Sequence, residues 1–217
     1  MNDLRQAIID TCLALETRGL NQGTSGNVSV RDGAGGFYLT PSGVPYAAMT
    51  PADIVRVDLA TGAVTGSRKP SSELPFHLAI LRARADAEAV VHTHSHYATA
   101  VACLRQDIPA VHYLVGLFGG ARIRCAPYAT FGSEELSANV VAALTQRRAA
   151  IMANHGLVVI GKDLGQALAL TAEAETLAKL YLQTLAAGEP HILPDNEMDR
   201  VIEKFRDFGY GPIERKR

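Results

Sequence analysis

The chain has 217 residues, 47% hydrophobic and 20% charged, the balance of a globular protein whose core needs no disulfide support. A formal charge of −1 at pH 7 offers no electrostatic footing for nucleic acid or an anionic membrane surface, so neither is expected as a partner. No run approaches ~18 apolar residues, the polar start Met1-Asn2-Asp3 lacks a signal-peptide core, and nothing divides the chain, so a single domain over residues 1–217 is expected.

Asp3 can cap a first helix whose apolar residues Leu4, Ile8, Cys12 and Leu15 share one face, with Gly19 a natural stop. The turn Asn21-Gln22-Gly23-Thr24-Ser25-Gly26-Asn27 is too rich in glycine for a helix. It leads into an alternating strand, Val28 to Arg31, and the run Phe37 to Thr40 completes a hairpin around a loop from Asp32 to Gly36. Thr50 to Asp53 reads as a one-turn cap, and Ile54 to Leu59 as a third strand turned back at Ala60-Thr61-Gly62. Ser71-Ser72-Glu73 opens a helix to about Arg84, with Leu74, Leu78 and Leu81 facing inward. The strand Val90-Val91-His92-Thr93-His94 follows, and then a helix from Ser95 to Leu104. Residues 109 to 131 are short apolar pieces around Gly119-Gly120, and Ser133 caps a helix to about Arg147. Strands Ala149 to Ala153 and Leu157 to Ile160 flank Asn154-His155-Gly156. Asp163 caps a long helix ending near Gly188, and a last amphipathic helix carries Met198, Val201, Ile202 and Phe205. Hairpins followed by irregular alternation predict an α/β fold that is not doubly wound: a mixed, mainly antiparallel sheet with helices on both faces. Cys12, Cys103 and Cys125 are far apart and set among apolar neighbours, as in a cytoplasmic protein with reduced, mostly buried thiols.

The residues able to carry chemistry each have a plain alternative. Strand side chains alternate faces, so His92 and His94 point the same way and form one edge of a metal site, with ligand nitrogens ~2.0–2.1 Å from a zinc-type ion. The same spacing also describes a strand end that happens to hold two histidines. Ser71 and Ser72 before Glu73 are either a helix cap with a dipole-favouring acid, or two hydroxyls and backbone N–H groups that seat a phosphate. His77, four residues after Glu73, is a packed helix histidine or its ligand partner. His155 is a hydrogen-bonded turn histidine, or one that converges on a distant site. His96, His112 and His191 have no comparable context. The glycine-rich turns at 23–27 and 40–43 match neither the Rossmann nor the P-loop pattern, and offer anion donors or ordinary turn chemistry.

Seven motifs occur in order across nearly the whole chain. They are Leu20 to Arg31, Thr40-Pro41-Ser42-Gly43-Val44-Pro45-Tyr46, Pro70-Ser71-Ser72-Glu73, Val90 to His94, Ile108 to Tyr113, Cys125 to Gly132, and Asn154-His155-Gly156-Leu157. As a set they resemble the class II aldolase/adducin family. The resemblance implies that His92, His94 and His155 bind a divalent metal of the Zn²⁺ type, with Glu73 as fourth ligand or nearby base. It implies that Gly26, Asn27, Ser42, Gly43, Ser71 and Ser72 hold a substrate phosphate. It further implies a homotetramer with active sites at subunit interfaces, where the catalytic Tyr113 reaches a neighbour's site. The implied reaction is retro-aldol cleavage of a ketose 1-phosphate, L-fuculose 1-phosphate or a related 5-deoxypentulose 1-phosphate, to dihydroxyacetone phosphate and a small aldehyde. The superfamily also holds sugar-phosphate epimerases, decarboxylases and dehydratases, and non-catalytic adducin-like interaction domains. One departure lies in the C-terminal tail, where Phe208, with Tyr210 two residues later, stands at the position of a tyrosine that covers the sugar in the family. It bears on the aldehyde half rather than on the reaction type.

Overall fold

The computed structural model describes residues 4–207; the Asp3 cap and the Phe208/Tyr210 tail lie outside them. Helix α1 (Leu4–Thr17) buries Ile8, Cys12 and Leu15 on its apolar stripe. Strands β1 (Asn27–Arg31) and β2 (Gly36–Leu39) form the expected hairpin, its loop braced by the Asp32 carboxylate accepting from the N–H groups of Ala34 and Gly36. β3 (Val55–Asp58) and a two-residue β4 (Val64–Thr65) extend this side of the sheet. Next come α2 (Leu74–Ala83), β5 (Ala89–Thr93) and α3 (His96–Leu104), then β6 (Ile108–Pro109), a 3-10 helix (Tyr113–Phe118) and β7 (Arg122–Ala126). The chain continues through α4 (Glu134–Ala143), β8 (Ala149–Met152), β9 (Gly156–Gly161), α5 (Leu164–Ala187) and α6 (Asp195–Asp207).

The strands form one sheet in the order β4-β3-β2-β1-β5-β9-β8-β7-β6, with every pairing antiparallel except β7 against β8. β5 and β9 are central and buried on both faces, which is why they read as continuous apolar runs. Val90, Val158 and Ile160 meet Phe76, Ile80 and Leu81 of α2 and Leu136 and Val140 of α4 on one face. Leu157 and Val159 meet Val101 of α3 and Leu170 and Leu177 of α5 on the other, where Val91 packs with Ile8 and Cys12 of α1.

The structure departs from the sequence reading at several points. α2 begins at Leu74 instead of Ser71, because Pro75 has no N–H and is tolerated only in the first helical turn. Glu73 is therefore the residue before the helix, not a member of its first turn. α4 stops at Ala143 rather than near Arg147, and Gln146 turns the chain with φ 57° while Arg124 takes the carbonyls of Ala143 and Thr145. Among the apolar pieces of 109–131, residues 122–126 form the full strand β7. Of the three cysteines only Cys12 is buried; Cys103 is exposed and Cys125 half-buried, and all three are free thiols. Among the described residues, no helix is long and apolar enough to cross a membrane.

One contact ties a helix to the end of β5. The Glu175 carboxylate of α5 accepts from Ser95 Oγ at 2.7 Å and from the N–H groups of Tyr97 and Ala98 at 2.8 Å each, capping α3 from outside. Glu175→Ala leaves these donors without an acceptor and is expected to lower stability by roughly 1–3 kcal/mol. A lowered urea midpoint at unchanged m-value checks it, with Glu175→Gln falling between the two.

Candidate metal centre and active site

β5 carries His92 on the face that packs α2, and antiparallel register sets Asn27 of β1 directly beside it. His94 lies one residue past the strand, its N–H donating to Asn21 Oδ1 at 3.2 Å. His155 projects from the three-residue turn between β8 and β9, which Asn154 closes with φ 53°, a left-handed conformation that asparagine tolerates. Glu73 enters from the mouth of α2. Four side chains from three separate segments thus meet at one point.

The meeting is close. His92 Nε2 lies 3.0 Å from His94 Nε2 and 3.0 Å from Glu73 Oε2, and His155 Nε2 lies 2.9 Å from Glu73 Oε1. Ligand nitrogens of the three histidines all fall within 4.8 Å of one another. The proton positions follow from partners. His92 Nδ1 lies 2.9 Å from the carbonyl oxygen of Leu157, which can only accept, so Nδ1 carries the proton and Nε2 presents a lone pair to the cluster. Lone pairs of two imidazoles and a carboxylate aimed at one another repel unless a cation lies among them. Ligands ~2.0–2.1 Å from a tetrahedral ion sit roughly 3.3–3.4 Å apart, so the spacing fits a divalent metal. Burial, together with the charges of His92 and His155, pushes His94 down to about 4 against the pull of Glu73, so it is neutral at pH 7 as a metal ligand must be. Burial alone would raise the Glu73 carboxyl, but its contacts with the His92 and His155 rings outweigh it and hold the group well below the usual carboxylate range.

Beside the cluster opens a cavity of about 330 Å³ lined by Glu73, His94 and His155 together with Ser25, Gly26, Ser42, Gly43, Ser71 and Ser72. A bridge between Pro41 and Pro70 clamps the two serine loops together, with Ser42 N–H donating to Lys69 O and Ser71 N–H to Thr40 O. The Glu73 and Leu74 N–H groups are spent on Ser71, and Pro75 has none. Those two backbone donors are therefore already engaged, while the Ser71 and Ser72 hydroxyls line the cavity. Gly26 is needed for close approach, since a Cβ would lie 2.7 Å from His92 O, and Gly43 turns with φ 68°. Among the described residues, no lysine or arginine lines this cavity. A larger one, about 670 Å³ between α4 and α6 and edged by Arg84, Arg147 and Arg148, shares no residue with it and holds no histidine.

Residues 6–182 match the Class II Aldolase and Adducin N-terminal domain. The chain belongs to the class II aldolase and adducin family. It is 48% identical over 206 residues to 5-methylthioribulose-1-phosphate/5-deoxyribulose-1-phosphate aldolase of Rhodospirillum rubrum, an alignment spanning 95% of this chain and 92% of that one. It is also 48% identical over 209 residues to L-fuculose phosphate aldolase of Escherichia coli K12, spanning 96% of each. A solved structure of L-fuculose 1-phosphate aldolase superposes with a TM-score of 0.91 at 39% identity, covering 95% of this chain and 97% of that one.

Membership in this aldolase family implies a divalent metal, and the His92–His94–His155 cluster is where one fits. The structure gathers Glu73 with the three histidines and places all six residues of the expected phosphate set on the adjoining cavity. Tyr113 is absent from that cavity's lining. It stands half-exposed at the start of the 3-10 helix, 4.7 Å from the His112 ring and 6.1 Å from Phe205. His77 does not join the cluster. It is fully buried and bonds Asn27 and Ser29 instead. Individual sequence reading passed over Tyr128, Phe131 and Asn154, which form the cavity mouth; their only signal was membership in the 125–132 and 154–157 motifs. It also missed Asn21, whose carbonyl holds His94.

Gly156 follows His155, and a Cβ there would lie 2.5 Å from Thr93 O and 2.9 Å from His94 Cδ2. The backbone oxygen cannot move aside without parting β5 from β9. Gly156→Ala is expected to cost ~1–3 kcal/mol of stability by overpacking and to weaken divalent-metal binding roughly 10–100-fold by displacing His94. Urea titration and chelator competition on the metal-stripped protein measure the two effects separately.

Proposed function

We propose that the protein, working as a single domain over its whole length, is a zinc-dependent aldehyde-lyase of the cytoplasm. It cleaves L-fuculose 1-phosphate or a related 5-deoxypentulose 1-phosphate to dihydroxyacetone phosphate and a small aldehyde. The observation that carries this reading is a single cavity where a three-imidazole, one-carboxylate cluster adjoins an arginine-free cradle of hydroxyls. Relatives with 48% identity over nearly the full chain are aldolases of such sugar phosphates.

Ser42, Ser71 and Ser72 donate hydroxyl hydrogens to the substrate phosphate, and Asn27 has a second amide hydrogen for it beyond the one given to Glu73. Phosphate held there places the ketose carbonyl toward the histidines. When bound, the zinc ion supplies Lewis-acid stabilisation of the negative charge that develops on the dihydroxyacetone phosphate half. Glu73, anionic in the resting site, takes the proton from C3 of dihydroxyacetone phosphate in the synthetic direction and returns it there in cleavage. Cleavage also requires loss of the proton from the C4 hydroxyl that becomes the aldehyde. The phenol suited to this is the partner's Tyr113 in a homotetramer, because the chain's own Tyr113 is not on its own cavity.

The reading is tested with L-fuculose 1-phosphate, 5-deoxyribulose 1-phosphate and ribulose 5-phosphate, following dihydroxyacetone phosphate release. Release from one of the two ketose 1-phosphates, abolished by chelation and restored by zinc, is expected. Isomerisation of ribulose 5-phosphate without that release would overturn it. Ser72→Ala is expected to raise KM by the equivalent of ~1.5–3 kcal/mol, the value of a hydrogen bond to a charged group.

Glu73→Gln and Tyr113→Phe are each expected to lower turnover roughly 10²–10⁴-fold. Glu73→Gln should also stop hydrogen exchange at C3 of dihydroxyacetone phosphate, whereas Tyr113→Phe should spare it. Mixed oligomers of the two variants recover part of the turnover if sites are shared between subunits. Verified mixed oligomers that stay inactive mean that both residues act within one chain or that Tyr113 merely packs.

A further inference from the structure

Behind Glu73 runs a line of buried hydrogen bonds that the proposed chemistry leaves unexplained. Asn27 Nδ2 donates to Glu73 Oε2 at 2.9 Å, His77 Nε2 lies 2.5 Å from Asn27 Oδ1, and Ser29 Oγ lies 2.7 Å from His77 Nδ1. His77 and Ser29 are fully buried, and Asn27 and Glu73 nearly so. His77 stacks on Phe76 with centroids 4.7 Å apart, which fixes its ring plane.

The direction of every bond is forced from the anionic end. A carboxylate only accepts, so the Asn27 amide must turn its NH₂ toward Glu73 and its oxygen toward His77. That oxygen only accepts, so His77 carries its proton on Nε2. Nδ1 is then a lone pair, and the Ser29 hydroxyl donates to it. Burial, with the charge on His92, pushes His77 down to about 3, so the ring is neutral and has one proton to place. Take away the His77 N–H and Asn27 Oδ1 loses its buried donor, so the amide is oriented only by the carboxylate it is there to hold. Turned over, it would aim an oxygen at the Glu73 carboxylate.

We propose that His77, backed by Ser29, is a positioning residue: through the Asn27 amide it fixes the Glu73 carboxylate against the histidine cluster. The line joins two elements, since Asn27 and Ser29 lie on one face of β1 and Glu73 and His77 belong to the start and body of α2. The orientation of the carboxylate is thereby tied to the sheet rather than left to the loop before the helix. The inference rests on the reading of Glu73 as metal ligand and proton carrier, and zinc binding by the metal-stripped protein tests it apart from aldolase activity.

His77→Leu keeps an apolar body and removes both ring nitrogens. It is expected to lower zinc affinity in chelator competition, and kcat, roughly 10–100-fold each, as for residues that orient ligands. KM for the sugar phosphate should rise by less than kcat falls, because Ser42, Ser71 and Ser72 are untouched and only the Asn27 donor is disturbed. His77→Gln can donate to Asn27 Oδ1 and accept from Ser29, and should recover most of both losses. Ser29→Ala, which only frees the His77 proton to move to Nδ1, should give a smaller loss of the same kind. Equal zinc affinity and kcat in the Leu and Gln variants, with only the urea midpoint changed, would overturn the proposal. If His77→Leu does not fold, Ser29→Ala decides: wild-type zinc affinity and kcat overturn it. A wild-type protein without aldolase activity would defeat the functional reading, while the zinc series would still decide the role of His77.

Discussion

The antiparallel register of β5 between β1 and β9 is the constraint on which the site depends. Pairing Asn27 with His92 and Thr93 with Leu157 puts a side-chain amide on one flank of the first histidine, while the β9 carbonyl of Leu157 fixes that histidine's tautomer. The turn into β9 then delivers His155 at the only height where it can meet Glu73. A one-residue slip would flip every side chain of β5 to the opposite face and send His92 toward α1. The burial of both faces of β5 prevents that slip, because it would exchange Val90 and Val91 between two cores of different shape. Packing far from the chemistry therefore sets its geometry.

Preorganisation has an electrostatic cost here. Three imidazoles and a carboxylate are held within about 3 Å contacts in a poorly hydrated pocket, an arrangement that favours a cation and disfavours its absence. The fold offsets this by over-determining each member. His92 is bonded through Nδ1, His94 is held by Asn21 on its N–H and by the Glu175 cap one residue on, and Glu73 is braced by Asn27. Asn21 is itself fixed, donating to the Tyr46 hydroxyl, which donates in turn to Gly26 O. One buried network thus supports both a metal ligand and the glycine turn at the anion end of the cavity.

What the sequence made legible followed from how local the signal was. β5 and β9 could be read because burial on both faces leaves an unmistakable apolar run, and α4 and α5 because Ser133 and Asp163 cap them with side chains a few residues away. β7 was not, since Arg122 and Arg124 alternate with Ile123 and Cys125 in a piece too short to show its period, and its parallel partner β8 lies beyond α4. The start of α2 was misplaced because Ser71 and Ser72 imitate a cap while Pro75 sets the true boundary. The His92/His94 spacing showed one edge of the cluster, but its completion was legible only through resemblance, for sheet order brings Glu73 and His155 together across 82 residues. His77, Asn27 and Ser29 illustrate the limit: bonds between positions 46 to 50 residues apart leave no trace in local pattern.

The absence of arginine from the cavity is consistent with this arrangement rather than a deficiency of it. A guanidinium within reach of both the phosphate and Glu73 would pair with the buried carboxylate by the stronger, bidentate geometry and draw it away from the histidines. Neutral hydroxyls can serve an anion without competing for Glu73, and a divalent cation at the histidines would supply the compensating positive charge. Division of charge along the cavity, neutral donors at the serine loops and a cation-favouring cluster at the histidines, also gives a bound sugar phosphate one direction in which to lie. The far end is left to Tyr128 and Phe131, aromatic rings 52% and 66% exposed at the mouth. Arg105 lies behind this rim, 5.9 Å from the Tyr128 ring centroid and donating to Asn154 Oδ1 at 2.6 Å, so its charge is engaged by two mouth residues rather than presented inside the cavity.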